Sequence, residues 1–119
     1  MEDLPLVDLS QIERLHEWGG PDLQKKMVDL FLTHAQERLD QIREGVTTGD
    51  AVKAETGAHT LKSSAGNVGA QRVQVLARDA EALAEAGSMG DVEAMLPTLQ
   101  EEFDAACTAL KEVIGGGEK

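Results

Sequence analysis

The chain has 119 residues, enough for one domain with a modest core. Its 22 Asp and Glu residues against 11 Lys and Arg residues leave a net charge of −11. That balance excludes the basic face a nucleic-acid binder needs and disfavours anionic membrane surfaces, while permitting a basic partner or a strongly solvated surface.

Hydrophobic residues make up 41% of the chain, but aromatics only 3% and Tyr is absent. Ala, Leu and Glu are the commonest residues, and with Gln, Asp and Lys they make a composition that favours helix over sheet. The single Cys, Cys107, lies in an apolar helical pattern and cannot form an internal disulfide. A buried structural thiol in a reducing compartment is the expected reading. No basic segment followed by an apolar run opens the chain, and no apolar run approaches the roughly 20 residues of a membrane span. A cytoplasmic protein without membrane contact is therefore expected, either free-standing or part of a larger sensor kinase.

Met1 to Val7 reads as an irregular lead-in interrupted by Pro5. A short helix is expected from about Ser10 to Trp18, with Ser10 as N-cap and Glu13 at the capping-box position. Gly19-Gly20-Pro21 should end it. Asp22 then caps a long helix to about Gly45, whose apolar positions Leu23, Met27, Phe31, Ala35, Leu39, Ile42 and Val46 recur at three- and four-residue spacing.

After the turn Thr47-Thr48-Gly49, Asp50 caps a helix that runs to about Val68. Gly57 inside it costs about 1 kcal/mol relative to Ala, which fits either close approach to another element or a merely tolerated glycine. A fourth helix spans about Ala70 to Ala86, with Val73, Leu76, Ala80 and Leu83 on one stripe. Gly87-Ser88-Met89-Gly90 is the next turn. A fifth helix spans about Asp91 to Ile114, with Pro97 expected to kink it or delay its regular start. No strand and no internal repeat is expected. Four long amphipathic helices joined by short turns imply an all-α, antiparallel up-down-up-down four-helix bundle over residues 1–114. The additional short N-terminal helix would cover one end or edge, and 115–119 would form a flexible tail.

The most informative stretch is Ala58-His59-Thr60-Leu61-Lys62-Ser63-Ser64-Ala65-Gly66-Asn67-Val68-Gly69-Ala70. At about 100° per residue, Ala54, Ala58, Leu61, Ala65 and Val68 form one apolar stripe, and His59 lies roughly 140° from its centre. His59 should face solvent, with Lys62 and Ser63 one turn beyond it. An imidazole with an ammonium and a hydroxyl beside it is suited to accept a phosphoryl group and hold its charge. Gly66 would keep the approach open. Asn67 and Gly69 suit the end of the helix, where Gly favours a C-terminal cap.

This stretch resembles the active-site helix of histidine-containing phosphotransfer (HPt) domains of bacterial two-component phosphorelays. The family pattern is approximately A-H-x-L-K-G-x-x-x-N-[LIV]-G-A, and Ala58, His59, Leu61, Lys62, Asn67, Val68, Gly69 and Ala70 match it in register. Ser63 stands where the family usually has Gly. The resemblance implies that His59 carries the phosphoryl group and that Lys62 stabilises it; Ser63, a departure from the family, is the next smallest polar choice and could donate a hydrogen bond to it. It implies response-regulator receiver domains and a hybrid sensor histidine kinase as partners, with Mg²⁺ on the receiver and no cofactor in this chain. A phosphotransfer intermediate of this kind is not a kinase, and no phosphate-cradling Gly-rich loop is present. The alternative is an HPt-fold adaptor that binds a receiver or kinase without transfer, though such an adaptor needs neither His59 nor Lys62. A monomer is expected, since four helices close a core.

The other histidines read differently. Glu13 and His16 have the Glu-x-x-His spacing of di-iron bundles, but no second such pair exists. His34 flanks the apolar face of the second helix and reads as a boundary or surface residue.

Overall fold

The computed structural model describes residues 4–115. It contains four helices in chain order: α1 (Leu9–Thr48), α2 (Ala51–Asn67), α3 (Gln71–Glu85) and α4 (Met89–Gly115). Each packs on its sequence neighbour, and α4 closes the ring on α1. The result is the expected antiparallel bundle, 45 Å long and about half as wide.

The expected short first helix and long second helix are both present within α1, as two helical segments divided by a kink. Gly19 and Gly20 leave helical geometry there (φ −151°, ψ 15° and φ 72°, ψ −168°), so the first segment ends where the sequence places its end. Only glycine adopts the Gly20 conformation readily. Pro21 then starts the second segment, where its missing N–H costs nothing. Gln24 Nε2 donates to Ile12 O across the kink at 3.1 Å, tying the two segments together. Asp22 is therefore no N-cap. Nor is Ser10: Asp8 holds that position, its carboxylate accepting from Ser10 N–H at 3.0 Å and from the Ser10 hydroxyl at 2.6 Å. A carboxylate at this helix start also complements the helix dipole.

Pro97 does not delay α4, which begins at Met89 and runs on through the proline. The helix extends to Gly115, and the rest of the expected tail, 116–119, lies outside the described residues.

The core is aliphatic and rich in alanine. Leu39, Ile42, Leu61, Leu99, Leu110, Val28, Val68, Val73 and Val92 are fully buried. Phe31 of α1 and Phe103 of α4 meet with ring centroids 5.7 Å apart. Cys107 is partly buried against this cluster. On α2 the stripe Ala54, Ala58, Leu61, Ala65 and Val68 is buried throughout, as the helical spacing requires. Its alanines let neighbouring backbones come close. At Gly57 an added Cβ would lie 3.0 Å from Arg38 O of α1, so this glycine marks a close approach of the two helices.

Candidate functional site

Burial of the α2 stripe fixes the rotation of the helix and so decides where His59 points. Asp50 caps the helix, its Oδ1 accepting from Lys53 N–H at 3.0 Å. With the alanine side buried, the His59 imidazole stands 62% exposed on the opposite side. Lys62 lies one turn along and is 30% exposed.

Between them sits a residue from the next helix that the sequence reading does not single out. The Glu81 carboxylate of α3 spans both basic groups: Oε2 is 2.6 Å from His59 Nδ1, and Oε1 is 2.6 Å from Lys62 Nζ. Glu81 itself is only 18% exposed. The Lys62 hydrogen bond, foremost, and the His59 contact hold its carboxyl below the ordinary range, against a smaller opposing effect of desolvation.

An ionised carboxylate can only accept hydrogen bonds. His59 Nδ1 therefore donates to Glu81. In the neutral ring this places the proton on Nδ1 and leaves the lone pair on Nε2, the nitrogen turned away from Glu81. Glu81 thus selects both the tautomer and the orientation of the imidazole. A nucleophilic nitrogen facing solvent, with an ammonium one turn away, is an arrangement able to receive an electrophilic phosphorus.

Ser63 is exposed on the same face. Gly66 makes room for a side chain of α3, since a Cβ there would lie 2.7 Å from Gln74 Nε2. Gly69 and Asn67 serve the α2–α3 turn. Gly69 has φ 75°, and its carbonyl accepts from Asp8 N–H at 2.7 Å. Asn67 O accepts from Gln11 Nε2 at 3.2 Å, and Gln71 Nε2 donates to Asp8 Oδ2 at 3.0 Å. The end of the histidine-bearing helix is thus tied to the start of α1.

Beside the site, α1 and α2 form a groove of about 290 Å³. Met27, Leu30, Phe31, His34 and Arg38 line one wall and Thr60, Ser64 and Asn67 the other. His34 is exposed at its rim, and Leu30 is among the few exposed large hydrophobics. Among the described residues no group of three or more His, Cys, Asp or Glu is placed to hold a metal ion.

The family described as the Hpt domain matches residues 26–111, most of the chain and all of the site. The chain belongs to the Hpt domain family. It is accordingly a phosphorelay intermediate of two-component signalling. Histidine-containing phosphotransfer protein 2 of Arabidopsis thaliana is 26% identical, over 87% of this chain and 69% of that protein. The crystal structure of histidine-containing phosphotransfer protein B from Pseudomonas aeruginosa PAO1 superposes with a TM-score of 0.86 at 24% identity, covering 92% of this chain and 95% of that one. The latter likeness concerns the fold. No described helix of this Hpt domain is long and apolar enough to cross a membrane.

Glu81 escaped the sequence reading because it lies 22 residues from His59 on another helix. A signal was present. In an antiparallel helix pair, residues about equally far from the turn face each other. His59 lies ten residues before Gly69 and Glu81 eleven after Ala70, at the flank of the α3 apolar stripe.

Proposed function

We propose that this Hpt domain accepts a phosphoryl group on His59 Nε2 from the aspartyl phosphate of one receiver domain and passes it to the Asp of another. The observation that carries this reading is the Glu81 bridge, which leaves Nε2 as the outward, unprotonated nitrogen. In the forward step the Nε2 lone pair forms the P–N bond as the P–O bond to the donor carboxylate breaks. The carboxylate leaves with the bonding electrons. The proton on Nδ1 stays in place, still donated to Glu81 Oε2. The second step reverses these events onto a new carboxylate.

Phosphoryl transfer depends mainly on positioning and charge stabilisation. A helix face that presents one oriented imidazole suffices when the receiver supplies Mg²⁺. Lys62 supplies a mobile ammonium for the phosphoryl oxygens, and Ser63 a hydroxyl donor one turn from His59. The groove between α1 and α2 offers an apolar floor with a polar rim, the character expected of a small transient interface. A hybrid sensor histidine kinase carrying a receiver domain would be the source of phosphoryl groups, and the Hpt domain would act as a cytoplasmic monomer.

The test is incubation with a phosphorylated receiver domain in Mg²⁺, using the parent protein and His59→Gln. Acid-labile, base-stable label on the parent alone is the expected result. A receiver that binds the parent without labelling it would replace transfer by an adaptor role.

A further inference from the structure

Lys62 cannot give its full charge to a phosphoryl group while it is held by Glu81. Its Nζ lies 2.6 Å from Glu81 Oε1, and the same carboxylate holds His59 Nδ1 at 2.6 Å. Phosphorylation of Nε2 would add a phosphoryl dianion to the ring that Glu81 supports. Two anionic groups, one on each side of the imidazole, would then draw on one ammonium, the ring's own charge being shared between them through Nδ1–H on one side and the P–N bond on the other.

We propose that Glu81 is a positioning residue that competes with the phosphoryl group for Lys62, and that its charge keeps phosphohistidine weakly held and poised for onward transfer. The inference rests on His59 being the phosphoryl carrier. Support of Nδ1 needs only an acceptor oxygen, which an amide supplies equally well. Competition for Lys62 needs the negative charge. A carboxylate at this position therefore does something that Gln would not. It orients the nucleophile, withholds part of the neutralising charge, and repels the phosphoryl group through the partly buried space between the helices. The unphosphorylated state is favoured by the intact bridge, and loss of the phosphoryl group restores it.

Glu81→Gln separates the two roles. The amide carbonyl still accepts from Nδ1, while Lys62 is released to the phosphoryl oxygens. With a receiver in Mg²⁺, the equilibrium ratio of phosphorylated Hpt domain to phosphorylated receiver should rise roughly tenfold in Glu81→Gln, the change that one partly screened charge produces at this range. Nitrogen-15 shifts of His59 should show the Nδ1-protonated ring in both proteins. Adding Lys62→Ala to Glu81→Gln should abolish most of the gain.

An unchanged ratio, or one moved toward the receiver, would overturn the inference while leaving His59 as the carrier. A gain that persists undiminished without Lys62 would also overturn it. Absence of label on the parent protein would instead remove the phosphotransfer reading on which the inference stands.

Discussion

His59 Nδ1 and Glu81 Oε2 lie 2.6 Å apart across the α2–α3 interface. One partner is largely exposed and the other mostly sheltered. The exposed group is free to react, and the sheltered one is rigid enough to aim it.

Replacing His59 should separate chemistry from folding. The imidazole is largely exposed and contributes little apolar burial, and Gln can still donate to Glu81, so His59→Gln should change stability by no more than about 0.5 kcal/mol. Phosphoryl labelling should be lost completely. Circular dichroism melting of the two proteins, beside the labelling assay, checks both halves.

Glu81 gives acid sensitivity a local source. Its carboxyl titrates below the ordinary range when folded, chiefly through the Lys62 hydrogen bond. A group with a depressed folded pKa contributes stability that is present above its unfolded value of 4.5 and is lost as pH falls through the lower folded value. As pH falls below 4.5, the urea midpoint of the parent protein should therefore drop more steeply than that of Glu81→Gln. Equal slopes would show that the bridge adds nothing to folding.

The two motif glycines Gly66 and Gly69 should respond oppositely to alanine. At Gly69 φ is 75°, and a Cβ would meet Asp8 O, a backbone atom, at 2.7 Å. Left-handed backbone strain plus this overlap should cost about 2–4 kcal/mol and loosen the start of α1. At Gly66 the obstacle is the end of the Gln74 side chain, which can swing away. Gly66→Ala should be neutral or stabilise by up to about 1 kcal/mol through helix propensity. Urea denaturation of both variants distinguishes the two cases.

Cys107 should behave as a core thiol. Burial, foremost, raises its pKa, which lowers the thiolate fraction at neutral pH. Alkylation of the native protein should be slow at pH 7 and become rapid on unfolding, as followed by mass spectrometry.

The elements most legible in the sequence are those set by local spacing. The α2 stripe, the outward turn of His59 and the neighbouring Lys62 all follow from a 3.6-residue period. The glycine pair at 19–20 was legible too: two glycines and a proline read as a stop, and the backbone leaves helical geometry at that pair, between the two segments of α1. Ser10 fits the N-cap pattern, but Asp8 reaches Ser10 N–H first and is itself fixed by the α2–α3 turn. Gly66 shows the same limit, because the side chain it accommodates comes from α3. Glu81 is the largest omission. Its role exists only once two helices are placed side by side in one register.

The most direct test of the account is the position of phosphorus on the ring. The parent protein, labelled with nitrogen-15 histidine and phosphorylated by a receiver domain in Mg²⁺, would be examined for phosphorus–nitrogen coupling. Coupling to Nε2 of His59, with the proton retained on Nδ1, is the result the Glu81 bridge predicts. Coupling to Nδ1, or phosphorus on an oxygen such as the Ser63 hydroxyl, would contradict it.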